Sequence, residues 1–178
     1  GSDAFSGCFN LKGKLSIPPS ATYIGKCCFS GCSGLQGTLK IPSSLTHIGM
    51  YTFFSCSGLS GDLEIPNSIT SIGEMAFSKC TGFNGTIKLS QSSTSIGNYA
   101  FSSCINLRGD LKIPESVIFI GCGAFFNCQN LNGILKIPNG ISAINNYTFY
   151  CCSNLKGFLE IPKSITFIGH SAFYNCSN

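Results

Sequence analysis

Residues 63–80 read LEIPNSITSIGEMAFSKC, and residues 39–56 read LKIPSSLTHIGMYTFFSC. The phrase returns at 111–128 as LKIPESVIFIGCGAFFNC and at 159–176 as LEIPKSITFIGHSAFYNC. Laid out in rows of 24 from Leu15, the chain gives repeats 15–38, 39–62, 63–86, 87–110, 111–134 and 135–158. Residues 1–14 are the tail of an earlier row and 159–178 a further partial one, so 1–178 reads as a single repeat domain. Phe holds one column (Phe5, Phe29, Phe53, Phe77, Phe101, Phe125, Phe149, Phe173) and Cys another (Cys8, Cys32, Cys56, Cys80, Cys104, Cys128, Cys152, Cys176). Glycine holds a third, from Gly13 to Gly157. No insertion breaks the spacing.

An unbroken period of this length is that of one coil of a solenoid. Within each row the LKI or LEI triplet alternates apolar and polar, as a strand with one buried face does. The proline after it has no N–H to donate and ends the pairing. SITSIG, rich in β-branched residues and closed by Gly, reads as a second short strand and a turn. The AFxxC segment is too short for a helix proper and reads as a loop or one helical turn. The expected fold is an α/β-type repeat solenoid, mostly β, with parallel strands and little helix.

In such a stack equivalent residues of adjacent coils lie about 4.8 Å apart. The Phe column then becomes a continuous aromatic spine, each ring contributing roughly 1.5–3 kcal/mol on burial. The cysteine column invites a disulfide framework, but laddered side chains project in parallel, and a disulfide requires Cβ atoms about 3.8 Å apart on converging vectors. The column therefore reads as buried free thiols, small apolar fillers with a weak S–H donor. Cys27, Cys28, Cys122 and Cys151 stand off that column.

The phrase LxIPxSxTxIGxxAFxxCxxL, present in every row, resembles that of the BspA-like, or treponemal-type, leucine-rich repeat proteins. The resemblance covers essentially the whole chain. It implies a right-handed solenoid of parallel strands, displayed on the surface of bacteria and some protists or secreted, with roles in adhesion to host proteins and in self-association.

Little points to chemistry. The two histidines, His47 and His170, lie five rows apart, and His47 sits in a column that accepts any residue and reads as exposed. Asp62 and Glu64 share a strand face, which reads as a solvated surface rather than an acid–base pair. Cys28 and Cys32 lack the further converging ligands zinc needs, and the glycines are repeat punctuation rather than a phosphate cradle. No enzyme, metal or cofactor is expected. The net charge of +4 comes from scattered lysines and one arginine, Arg108, with no basic run, so nucleic acid is a poor partner. No apolar stretch reaches the roughly 20 residues that span a bilayer.

Function is expected where columns vary. Alternation turns Gln36, Thr38 and Lys40 outward, and likewise Ser60, Asp62 and Glu64, and their counterparts in every row. From this face the candidate partner-binding residues are Lys40, Glu64, Lys88, Arg108, Lys112, Ile134, Lys136, Phe158 and Glu160. Ile134 and Phe158 are stacked neighbours, an apolar spot suited to anchoring a partner. A second candidate surface is aromatic: Tyr23, Phe119 and Phe167 in one column, and Phe54, Phe126, Tyr150 and Tyr174 in another.

The expected partner is a protein of a host or neighbouring cell surface or matrix, bound through the sheet face. The alternative is a structural or self-associating spacer, with copies meeting through open solenoid ends. Three N-x-S/T acceptors occur, at Asn84, Asn146 and Asn175. In the row from Ile87, Ser90 replaces the proline and Ser93 an aliphatic residue, which predicts a looser coil there.

Overall fold

The structure, a computed structural model, describes residues 1–177; Asn178, the last residue of the final partial repeat, lies outside them. It is a parallel-strand solenoid of about six turns, with no helix among the described residues. Two ladders of two-residue strands run along the stack. The first comprises Gly13–Lys14, Leu35–Gln36, Leu63–Glu64, Ile87–Lys88, Leu111–Lys112 and Leu135–Lys136. The second comprises His47–Ile48, Ser71–Ile72, Ser95–Ile96, Phe119–Ile120, Ala143–Ile144 and Phe167–Ile168. Leu63 pairs with Ile87 and Ser71 with Ser95, so equivalent residues meet from coil to coil.

The AFxxC segment is neither a strand nor a helical turn. Thr52, Phe54 and Cys56 donate their N–H groups to Gly49, Tyr51 and Phe53, giving three overlapping turns. The intervening N–H groups of Tyr51, Phe53 and Ser55 donate to Glu74, Ala76 and Ser78 of the next coil at 2.8–2.9 Å. A helix would spend every N–H along its own axis and leave none for the neighbouring coil; alternating the two kinds of bond builds a third ladder. The geometry places Tyr51 and Ser55 at φ 56°, a left-handed conformation costing a non-glycine residue about 1–2 kcal/mol.

The interior is the expected spine. Successive rings of the column from Phe5 to Phe173 lie 5.3–5.8 Å apart with interplanar angles of 14° or less. Such offset stacks add to the burial term. Leu63, Ile65, Ile69 and Ile72 close the core of one coil from the two strand ladders. All twelve cysteines are free thiols.

The coil of Ile87 is not looser. Ser90 and Ser93 are fully buried, and both hydroxyls donate to the carbonyl of Ile69, at 2.6 and 3.1 Å. The two serines replace apolar packing by hydrogen bonds, and the strand Ser95–Ile96 keeps its pairing on both sides. The second ladder breaks elsewhere, between Phe119–Ile120 and Ala143–Ile144. There Asn145 stands where the other rows carry glycine. Gly121 donates its backbone N–H to Ile96 across the coils, whereas Asn145 reaches Ile120 through its side-chain amide at 2.6 Å.

The first ladder reveals a longer period. Leu63 pairs with Ile87 and Leu111 with Leu135, 24 residues on, but Thr86 bridges Arg108 and Ile134 bridges Lys156, 22 residues on. Coils carrying Gly-Asp (Gly61-Asp62, Gly109-Asp110) alternate with coils carrying Asn-Gly (Asn84-Gly85, Asn132-Gly133). The Asp62 carboxylate accepts the N–H of Thr86 at 2.6 Å, while the Asn84 amide oxygen accepts the N–H of Gly61 at 3.0 Å. Asp110 and Ile134, and Asn132 and Gly109, repeat this reciprocal clamp at 3.1 and 2.9 Å. From Gly61 to Gly133 the clamp therefore repeats every two coils, 48 residues; the earlier coils do not alternate, since Gly13 pairs with Leu35 and Gly37 bridges Leu59, both 22 residues on. Tyr51, Tyr99 and Tyr147 keep the same spacing on the turn side, although the positive φ of that position recurs in every coil, at Met75 and Gly123 as well.

Candidate protein-binding face

The first strand ladder positions the face. In each two-residue strand from Leu35 onward, the first side chain is buried and the second exposed. Lys40, Glu64, Lys88, Arg108, Lys112, Ile134, Lys136, Phe158 and Glu160 are all exposed and stand on or beside this ladder.

The charges on it are largely paired with one another. Lys88 Nζ lies 2.8 Å from Glu64 Oε1, across one rung. Lys112 meets Asp110 at 3.0 Å within its own coil, and Lys136 meets Glu115 at 2.9 Å. The hydrogen bond from Lys112, then the N–H of Ile134, hold the Asp110 carboxyl below its ordinary range. Lys136, then the N–H of Asn139, do the same for Glu115. Asp62 is lowered by the N–H and hydroxyl of Thr86. All these groups are exposed and screened by solvent, so the pairs add little to stability, and their main effect is to fix side-chain directions. Among the described residues Lys40, Arg108 and Glu160 make no ion pair.

At the later coils the face deepens into a groove of about 640 Å³. Pro114, Ile134, Phe158 and Pro162 give it apolar walls, and Lys112, Glu115, Lys136 and Glu160 edge it. Phe158 is 100% exposed, and Ile134, with a coil on each side, is still 57% exposed. Five of the face residues read from the sequence thus meet in one concavity, while Lys40, Glu64, Lys88 and Arg108 lie outside its lining. Glu115, Gln91 and Asn139 also line it; they follow the strand rather than sit in it, so strand alternation gave no sign of them.

The aromatic surface divides. Phe126, Tyr150 and Tyr174 stack at 4.7 and 4.9 Å, and Tyr147 meets Tyr150 edge-on at 5.9 Å. Phe126 and Tyr150 are thereby half-buried, while Tyr174 is 59% exposed. Tyr23, Phe119 and Phe167 are 49–58% exposed, but His47, Ser71, Ser95 and Ala143 of the same column are only half exposed. The column is therefore less open than its sequence variability implied.

The thiols complete the picture. Each column cysteine donates to the carbonyl of the Phe of the preceding coil, from Cys32 to Phe5 through Cys176 to Phe149, at 2.9–3.1 Å. Burial pushes Cys56 up to about 12 and Cys80, Cys104, Cys128 and Cys152 well above the ordinary thiol value. They are protonated packing groups and not nucleophiles. Among the described residues no three His, Cys, Asp or Glu side chains are grouped to hold a metal ion, and no helix is long and apolar enough to cross a membrane.

The stack of parallel strands, closed around a buried Phe–Cys interior, is the architecture of a leucine-rich repeat domain. The BspA-type leucine-rich repeat model matches residues 1–132 and 109–178, and the chain belongs to that family. It is 30% identical to the leucine-rich repeat protein of T. pallidum, with a TM-score of 0.63, covering 99% of this chain and 68% of that one. A leucine-rich repeat protein from Eubacterium ventriosum is 23% identical with a TM-score of 0.69, covering 92% of this chain and 42% of that one. A comparison with curated protein sequences gives no significant match.

Proposed function

We propose that this chain is a non-enzymatic recognition module, displayed on a cell surface or secreted, that attaches to a surface or matrix protein of a host or neighbouring cell through its first strand ladder. The observation that carries this reading is the groove at Ile134 and Phe158: exposed apolar side chains set among fixed charges are the composition of an interface centre with a polar rim. Solenoids present such faces as extended binding surfaces. The absence of catalysis is supported by the raised thiols and by carboxylates engaged in fixed pairs. Surface display rests on the family resemblance.

The test replaces Lys88, Lys112 and Lys136 together by glutamine, which leaves Glu64, Asp110 and Glu115 unneutralised and turns a balanced face acidic. Attachment of labelled protein to epithelial monolayers and to immobilised matrix proteins should fall at least fivefold, with the far-UV spectrum unchanged. A spacer without a ligand shows no such loss, and unchanged attachment would remove the proposal.

A further inference from the structure

Asparagine followed by glycine occurs at Asn84-Gly85, Asn132-Gly133 and Asn139-Gly140, and the fold treats these pairs differently. Such a pair carries a chemistry of its own. The backbone nitrogen after an asparagine can attack the side-chain carbonyl carbon, and glycine, with no Cβ, neither blocks that approach nor restricts the backbone that delivers it. In the first two pairs both reacting groups are held. Gly85 donates its N–H to the carbonyl of Gly61 at 3.0 Å, while Asn84 Oδ1 accepts the N–H of Gly61 at 3.0 Å. Gly133 and Asn132 are tied to Gly109 in the same way, at 3.1 and 2.9 Å.

Asn139-Gly140 is held by much less. Both residues are exposed, and the N–H of Gly140 makes no hydrogen bond among the described residues. The turn that contains them is unlatched. Its counterparts close by a bond from the N–H of Ala21, Leu45, Ile69, Ser93, Val117 or Ile165 to the carbonyl three residues earlier, and Ile141 makes none. Gly140 also stands in a serine column, where Ser44 and Ser116 clip their coils to the carbonyls of Ala21 and Ser93 at 2.6 Å. The break in the second ladder, between Phe119–Ile120 and Ala143–Ile144, lies at the same joint. The Asn139 amide is restrained by a bond from Nδ2 to Glu115 Oε2 at 3.4 Å, near the outer limit of such contacts.

We infer that Asn139 is a self-modifying site, converted in the folded chain to aspartate or isoaspartate through Gly140. The Gly140 nitrogen, its proton taken by solvent base, bonds to Cγ of Asn139. The Cγ–Nδ2 bond breaks, and the nitrogen takes a proton from solvent and leaves as ammonia. Water then opens the resulting succinimide at either carbonyl. Nothing is oxidised or reduced, and water is the co-reactant. The product sets a carboxylate where an amide donor faced Glu115, whose other oxygen pairs with Lys136 at 2.9 Å. A tie between adjacent coils thereby becomes a like-charge contact on the exposed strand face.

The experiment incubates the whole chain at mildly alkaline pH, folded and in urea, and follows each Asn-Gly peptide by mass spectrometry, with electron-transfer fragmentation to mark isoaspartate. In the folded chain Asn139 should convert at least about tenfold faster than Asn84 and Asn132, and in urea the three rates should converge, because the clamps must open before the two protected pairs can react. G140S restores the serine of its column and so is built to fold; it should slow conversion of Asn139 by about tenfold, since a Cβ now hinders the attacking nitrogen. Asn84 or Asn132 converting as fast as Asn139 in the folded chain overturns the inference. So does an Asn139 that reacts more than about tenfold more slowly folded than in urea, which would show that the fold protects it too. An unaltered rate in G140S rules out attack by the Gly140 nitrogen.

Discussion

The thiol of Cys104 donates to the carbonyl oxygen of Phe77, 27 residues earlier, at 3.1 Å. That same carbonyl accepts the N–H of Cys80 in its own coil at 3.1 Å. One oxygen thus binds the turn of its coil and the side chain of the next, and the arrangement recurs down the column. Cys104→Ala removes the second bond and the sulfur volume, and should cost about 1–2 kcal/mol. Urea unfolding of the two proteins, compared at constant m-value, checks this.

Phe101 is held between Phe77 and Phe125, with ring centres 5.5 and 5.3 Å away. Phe101→Ala should cost about 3–5 kcal/mol. A coil in a solenoid is stable only through its neighbours, so hydrogen exchange should accelerate in the coils on both sides and not in that of Phe101 alone.

The raised thiols set an alkaline limit. Unfolded thiols ionise near pH 8.5, while Cys56, Cys80, Cys104, Cys128 and Cys152 stay protonated in the fold. Above that pH the folded state holds more protons than the unfolded one, so stability is full below about 8.5 and falls as pH rises towards the folded values. Melting temperature should drop steeply above about pH 9. Cys80→Ala/Cys104→Ala/Cys128→Ala should flatten the drop, and at pH 8 these thiols should react with Ellman's reagent only as the chain unfolds.

The acid limb has the opposite sign. Asp62 and Asp110 are held below the ordinary carboxylate range by hydrogen bonds. Their contribution is present above the unfolded value of about 3.9 and is lost as pH falls through the lower folded values. Asp62→Asn/Asp110→Asn should show a shallower loss of melting temperature between about pH 4 and pH 2 than the parent.

Ser103 occupies the left-handed position two residues after Phe101, at φ 58°. Gly31 fills the same column at φ 74°. Ser103→Gly should therefore raise stability by about 0.5–1 kcal/mol. Gly133→Ala should do the reverse by more, since a Cβ there would lie 2.6 Å from the backbone nitrogen of Asp110. Thermal melts of both variants separate the two effects.

The columns carried most of this architecture. A fixed residue in a fixed column, such as Phe101 or Cys104, can only repeat its environment from coil to coil, so core, spine and free thiols were legible before any coordinates. The AFxxC turns were not, because their N–H groups divide between the coil and its neighbour, and no local propensity encodes that division. The two-coil period was visible in principle, in Asp62 and Asp110 and in Asn84 and Asn132, but strong identity at 24 masks weaker identity at 48. The outward direction of Lys112, Ile134 and Phe158 followed from strand alternation. The partners of the lysines did not, since Glu115 reaches Lys136 from beyond the strand.

The reciprocal clamps also constrain how such an array can grow or shrink. Excising residues 63–110 brings the Asn132-Gly133 coil against Gly61-Asp62, and acceptor meets donor as before. Excising 87–110 alone sets one Asn-Gly coil against another, and the amide oxygen of Asn132 then faces the N–H of Gly85, which is already committed to Gly61. Among the clamped coils, from Gly61 to Gly133, viable length variants should differ by an even number of turns, so that there turns are gained or lost in pairs.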